Sequence, residues 1–152
     1  MEKLLFIESL ENHQAVIDHI LKYKNEDGIC RVPQAQLMLE MGRHWTWIAK
    51  AIKRINTEET CIEKLGTSEY RIIHADLLQR GVFALILDMM LDTFVTPEIL
   101  SRKDRELIDR YHCSLKTVQM YRAYMTSGWK VKLKEAIESG RIDENKLRNY
   151  RS

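Results

Sequence analysis

Residues 36–52, QLMLEMGRHWTWIAKAI, predict two short helices joined by a tight turn. Pro33 precedes the stretch, at a position where helices often begin. Gly42 stands between the two helical patterns and favours the turn. Apolar side chains recur at helical spacing on both sides of it, namely Leu37, Met38 and Met41 before the glycine and Ile48, Ile52 and Ile55 after it.

The flanking segments predict a further helix and a β-hairpin. The helix runs from Ser9 or Asn12 to Lys24 and is followed by a short β-favouring run over residues 29–32. Residues 60–65 and 70–73 are β-favouring and are separated by a turn sequence, which predicts the hairpin. The predicted order is therefore helix, short strand, helix, turn, helix and hairpin.

This order resembles the winged helix-turn-helix family, and the resemblance covers residues 12–74. The family places a small residue or glycine in the turn, which is Gly42 here, and an apolar packing residue six positions later, which is Ile48. It usually has a small residue four positions before the glycine, and this chain departs from it with Met38. The resemblance implies a DNA-binding domain whose third helix enters the major groove.

The residues expected to contact DNA lie in the turn, on the third helix and at the hairpin tip. They are Arg43, His44, Trp45, Thr46, Trp47, Lys50, Lys53, Arg54, Lys64, Thr67 and Ser68. Thr46 and Lys50 are expected to donate to base edges or phosphates from the first half of the helix. Each tryptophan has two interpretations, core packing or DNA contact, and the hairpin tip is expected to reach phosphates or the minor groove.

Residues 77–94 predict one helix that is apolar on nearly every face. Such a helix is buried on more than one side, so it is either a central spine between two lobes or a dimer interface. The dimer interpretation uses Leu78, Val82, Phe83, Ile86, Met89 and Met90. The helix separates a winged helix-turn-helix domain, residues 1–76, from a C-terminal helical region, residues 97–152, with residues 77–96 as the connection.

The C-terminal region predicts a second helix-turn-helix. Helical patterns lie on both sides of a turn at residues 112–114, and residues 105–149 resemble the DNA-binding domain of ParB/KorB-type plasmid-partition proteins. His112 occupies the position where such motifs prefer glycine, and the nucleotide-binding motifs of that family are absent from the sequence. The resemblance implies DNA contacts at Ser114, Lys116, Thr117, Gln119 and Arg122, with Gln119 suited to adenine.

The charges are balanced overall but locally separated. The 24 Lys and Arg against 22 Asp and Glu give a net charge of +2, which excludes a polycation that coats DNA by charge alone. Residues 41–57 nevertheless contain four basic residues and no acid, and residues 110–134 contain six and no acid. Both windows include a candidate recognition helix, which favours DNA contact, while the alternative is an ordinary solvated surface.

Several other classes of protein and site find no support in the sequence. It contains no nucleotide-binding, metalloprotease or serine-hydrolase motif, so we expect no catalytic site, no metal site and no cofactor. The three widely spaced cysteines suggest neither a disulfide framework nor a metal knuckle. The most apolar stretch, residues 82–91, is much shorter than the roughly 20 residues of a membrane span. We therefore expect a cytoplasmic, nucleoid-associated protein with no membrane partner.

These patterns together predict a mainly α fold with a small β-hairpin wing and a C-terminal helix-turn-helix lobe. The predicted function is sequence-specific binding of double-stranded DNA by a homodimer, as a transcription regulator and repressor of a bacterium, phage or plasmid. No small-molecule effector is predicted. The alternatives are a plasmid or phage replication or partition factor and a winged-helix protein–protein interaction module. RNA binding is a weaker alternative, because no aromatic sheet motif is visible.

Overall fold

The computed structural model describes residues 5–142, which are mainly helical with one small antiparallel sheet. The elements of the first half are α1 Leu5–Leu21, β1 Cys30–Arg31, α2 Gln34–Met41, α3 Trp45–Ile55, β2 Ile62–Gly66 and β3 Glu69–Ile72. Those of the second half are α4 Val82–Val95, a 3-10 helix Pro97–Ser101, α5 Asp104–Tyr111, α6 Leu115–Tyr124 and α7 Trp129–Glu138. The predicted order of elements in the first half is confirmed.

Helix α1 begins earlier than predicted and connects the two halves of the molecule. Its first turns bury Phe6, Ile7 and Leu10, which extend the apolar stripe of the rest of the helix. The ring of Phe6 lies 6.0 Å from that of Phe83 and 5.3 Å from that of Tyr124. These aromatic contacts stabilise the additional turns of α1. The local sequence does not reveal them, because the partner rings lie far along the chain.

Helices α2 and α3 are joined by the predicted glycine turn. Gly42 has a left-handed backbone with φ of 63°, and its N–H bonds to the carbonyl of Met38. Leu37 and Ile48 are fully buried, whereas Met38 is partly buried against the core. The turn therefore uses the conformation that glycine adopts without the steric cost of a side chain.

The sheet has the strand order β1-β3-β2, with both pairs antiparallel. Buried Tyr70 on β3 pairs with Cys30 on one side and Lys64 on the other. An irregularity in register lies between Lys64 and Gly66, next to the tip of the predicted hairpin. The sheet packs against α1 through β1 and its central strand β3.

Helix α4 is a central spine, and the predicted dimer interface on it is corrected. The helix starts after Gly81 rather than at residue 77, and its apolar side chains pack inside the chain. The residues with 0% exposure include Val82, Phe83, Ile86, Met89 and Met90. Leu78 precedes the helix and is partly buried. Because the core is continuous from α1 to α7, the five fully buried side chains are not available to a second copy.

Helices α5 and α6 lie where the second helix-turn-helix is predicted. His112 has a left-handed backbone with φ of 53°, and its N–H bonds to the carbonyl of Ile108. This is the conformation for which related motifs use glycine, so the histidine bears a steric cost. The side chain of Ser114 caps α6 by accepting from the backbone N–H of Thr117 at 3.3 Å.

The sequence also predicts helices over residues 129–138 and 143–150, and the first of them is confirmed as α7. The helix predicted for residues 143–150, and with it the end of the C-terminal resemblance, lies outside the described residues. Among residues 5–142, no helix combines the length and apolar character needed to cross a membrane. The boundaries of the three predicted regions stay a prediction.

Candidate nucleic-acid interface

Helix α3 has one buried face and one charged face. Ile48, Ala51 and Ile55 are buried against the core, while the predicted inward residue Ile52 is only partly buried. The opposite face carries four exposed polar side chains, Thr46, Lys50, Lys53 and Arg54. The buried stripe therefore fixes which side of the helix meets solvent.

The cations of this face have no acidic partner in the part of the chain that the structure describes. The ion pairs there involve other residues, and none includes Lys50, Lys53 or Arg54. Positive charge that is not neutralised within the protein is available to an anionic partner. The face therefore retains the charge that the acid-free window in the sequence indicated.

The start of α3 is organised by His44 and Arg43. The Nδ1 atom of His44 accepts from the backbone N–H of Thr46 at 3.1 Å, so His44 acts as the helix cap. The Thr46 hydroxyl lies 3.0 Å from the same nitrogen. The Arg43 guanidinium lies 4.5 Å from the ring centroid of Trp47, which is a cation–π contact. These contacts hold the predicted DNA-binding residues in defined positions.

Both tryptophans of the third helix are partly buried and pack against the core. The ring of Trp47 lies 6.3 Å from that of His13 on α1. Packing against the core therefore covers one side of each indole ring. Contact between DNA and the remaining exposed edges stays a prediction.

The hairpin tip contributes one exposed cation. Lys64 and Thr67 are exposed, and Ser68 is partly buried, with its carbonyl accepting from the N–H of Val32 at 3.0 Å. The two acidic residues of the strands are paired across the sheet, with 3.6 Å between Arg71 and Glu63 and 3.6 Å between Arg31 and Glu69. Lys64 has no ion pair within residues 5–142, so its charge is free to act outside the hairpin.

The second motif differs from its prediction at the start of α6. Thr117 is fully buried, and its hydroxyl donates to the Glu58 carboxylate. The backbone N–H of Ser114 donates to the same carboxylate oxygen at 2.7 Å. A carboxylate from the first half therefore occupies the helix end that was expected to meet DNA, where unpaired N–H groups attract an anion. Thr117 is therefore not accessible to a DNA partner, whereas a DNA contact by the partly buried Ser114 stays a prediction.

Arg122 also makes contacts inside the chain, and its predicted DNA contact stays a prediction. Its Nε donates to Asp104 at 2.7 Å, and its two terminal nitrogens donate to the carbonyls of Leu100 at 2.8 Å and Arg102 at 2.6 Å. Arg122 thus fastens the 3-10 helix and the start of α5 to α6. Lys116 and Gln119 are the predicted residues of this helix that remain exposed.

His13 is a residue behind the α3 face that the sequence analysis missed. Its ring lies 5.1 Å from that of Phe83, its exposed fraction is 5%, and Nδ1 has no hydrogen-bond partner within residues 5–142. Burial, with a smaller contribution from the nearby Arg54 charge, lowers the pKa of His13 to about 4. Its place between Leu10 and Ile17 on the buried stripe of α1 was the signal that could have identified it.

The cysteines are buried and unpaired. Burial is the main cause that raises the pKa of Cys61 and of Cys113 to about 11, so both thiols are protonated at neutral pH. The described residues include no cluster of three or more His, Cys, Asp or Glu side chains suited to a metal ion.

The candidate interface therefore consists of the capped start of α3, its basic face and the single cation of the hairpin tip. Comparison of the chain with known protein families, with curated proteins and with solved structures finds no match.

Proposed function

We propose that the protein binds double-stranded DNA in a sequence-specific manner, with α3 in the major groove and the hairpin tip on the flanking backbone. The observation that carries the proposal is the division of α3 into a buried apolar face and a face with unneutralised cations. An α-helix fits the width of the major groove. The order of elements, which resembles that of winged helix-turn-helix proteins, supports the same function.

The side chains of α3 divide between two kinds of contact. Thr46 and Lys50 lie in the first half of the helix, from which recognition helices commonly reach base edges, and the Lys50 ammonium is suited to a phosphate as well. Lys53 and Arg54 lie in its last turn and are suited to phosphates, which position a protein on DNA without reading sequence. The start of the helix therefore carries the sequence preference, while Lys50, Lys53 and Arg54 all contribute to the salt-dependent affinity.

We infer that such a protein acts as a transcription regulator, and as a repressor if the bound site overlaps a promoter. A replication or partition factor of a plasmid or phage would use the same DNA contact. A dimer that reads a palindrome must use surfaces other than the buried residues of α4.

One observation favours protein interaction as a second candidate function. Phe94 and Val95, at the end of α4, are 43% and 79% exposed. Exposed apolar side chains on a helix otherwise buried in the core are accessible to another protein. A chain that lacks DNA binding but forms a stable complex through this end of α4 would fit this second candidate.

The salt dependence of binding tests the proposed function. We expect the logarithm of the association constant for a duplex, selected from a random library, to fall linearly with the logarithm of salt concentration. The slope should be about −3.6 if the three cations of α3 and Lys64 at the hairpin tip each release about 0.9 counterion. Fluorescence anisotropy with a labelled duplex measures it, and the absence of salt-dependent binding to any duplex would contradict the proposal.

A further inference from the structure

The loop between α3 and β2 is bonded to the hairpin by Asn56. The Asn56 side-chain oxygen accepts from the backbone N–H of Cys61 at 2.8 Å and from that of Ile62 at 3.0 Å. Its amide group donates to the Ile62 carbonyl at 2.8 Å. The end of α3 is therefore connected directly to the first residue of β2.

Glu59, in the same loop, connects it to the segment that follows the hairpin. Its carboxylate accepts from Nε2 of His74 at 2.7 Å, and Arg80 lies 3.4 Å from the same oxygen. His74 follows β3 and Arg80 precedes α4. These contacts hold the loop next to the segment that connects β3 to α4.

Glu58 connects the same loop to the second half of the molecule. Its carboxylate accepts from the N–H of Ser114 and the hydroxyl of Thr117, which lie 56 and 59 residues further along the chain. The positive end of the α6 dipole favours a negative charge at this position. Glu58 thereby joins the loop between α3 and the hairpin to the first turn of α6.

We propose that Glu58 is a positioning residue for the DNA interface and that α6 supports α3 and the hairpin instead of reading DNA. The inference rests on the proposed function. A helix and a hairpin that contact one duplex together must keep a fixed relative orientation, and rigid supporting contacts supply it. Glu58 lies in the loop between α3 and the hairpin. Its carboxylate is hydrogen-bonded to the start of α6, which is packed in the core.

The contacts of α6 favour support over a second reading helix. Val118 and Tyr121 are fully buried, and the Tyr121 hydroxyl is hydrogen-bonded to Thr93 on the spine. The Glu58 carboxylate at the start of α6 also repels a DNA phosphate from the site where a reading helix would receive one. The helix is thus anchored on its inner side and closed to DNA at its first turn.

A double-mutant cycle between Glu58→Ala and Lys64→Ala tests the positioning role, with affinity for the selected duplex measured by anisotropy. We expect Glu58→Ala alone to weaken binding about fivefold, and to weaken it less than about twofold in the Lys64→Ala background. The difference arises because displacement of the hairpin weakens DNA binding only if Lys64 at its tip contacts DNA. A role in stability alone would not produce this coupling.

Two further variants keep the test independent of folding. Glu58→Gln retains an oxygen that accepts from Ser114 N–H, so its affinity should stay within about twofold of the wild type. Thr117→Val removes the hydroxyl at nearly constant volume and should weaken binding, though less than Glu58→Ala does. Circular dichroism and thermal unfolding establish that each variant is folded at the assay temperature.

Three results would overturn the inference. Additive effects of Glu58→Ala and Lys64→Ala would refute the positioning role alone. Stronger binding by Glu58→Ala, with a longer footprint on DNA, would show that Glu58 covers a second reading helix. A wild-type protein with no salt-dependent DNA binding would refute the proposed function and this inference together, which distinguishes that outcome from the other two.

Discussion

Replacing Lys50 and Lys53 with glutamate should remove most of the affinity of the protein for its selected duplex. Each lost phosphate contact costs about 1 kcal/mol or more, so the double variant should bind at least about 30-fold more weakly. The magnitude of the salt slope should fall by about 1.8, because two counterion-releasing contacts are lost. Both side chains are exposed, so the free energy of unfolding should change by less than about 1 kcal/mol.

The matched control is Lys116→Glu with Lys134→Glu, which changes the net charge by the same amount at exposed positions on α6 and α7. We expect the control to bind within about threefold of the wild type, because long-range effects of surface charge are screened by salt. Equal losses in the two double variants would mean that affinity depends on net charge alone. Unchanged affinity in the Lys50 and Lys53 variant would exclude α3 from the interface.

The stability of the fold should decrease as the pH falls below about 6.5, because His13 is buried as a neutral imidazole. The unfolded chain binds a proton at the ordinary pKa of 6.5, whereas the folded chain binds it only near the lowered pKa of about 4. Between these values the unfolded state holds more protons. The free energy of unfolding should therefore lose up to about 1.4 kcal/mol per pH unit, and about 3 kcal/mol in all.

Urea denaturation followed by tryptophan fluorescence between pH 4.5 and 8 measures this loss. The control is His13→Leu, which keeps an apolar side chain against Phe83 and Trp47 but has no proton to bind. Carboxylates contribute to the pH dependence of both proteins, so the difference between them isolates His13. Parallel pH profiles for wild type and variant would contradict the assignment.

The helices and the hairpin could largely be predicted because their signals are local. The stripe of Ile48 and Ile55, the turn at Gly42 and the cap at Ser114 each depend on residues a few positions apart. The early start of α1 could not be predicted in this way, because Phe6 is held by rings from distant helices. Periodicity also could not separate a spine from a dimer interface in α4, since both require an apolar surface.

The candidate site shows the same division between local and distant determinants. The basic face of α3 follows from its own sequence, since its buried stripe determines which side chains remain outside. The internal partners of the second motif could not be predicted in this way, because they come from elsewhere in the chain. Glu58 and Asp104 both lie outside the acid-free window of residues 110–134, yet they bind the start of α6 and Arg122. Counting charges along the sequence does not detect acids that folding brings to a helix.

The most direct test of the central claim is to map backbone amide chemical shifts by NMR during titration with the selected duplex. The claim is that α3 and the hairpin tip contact DNA while α6 supports them. We expect the largest shift changes at residues 43–54 and 64–68, with residues 114–122 nearly unchanged. Large changes at residues 114–122 without changes on α3 would contradict it.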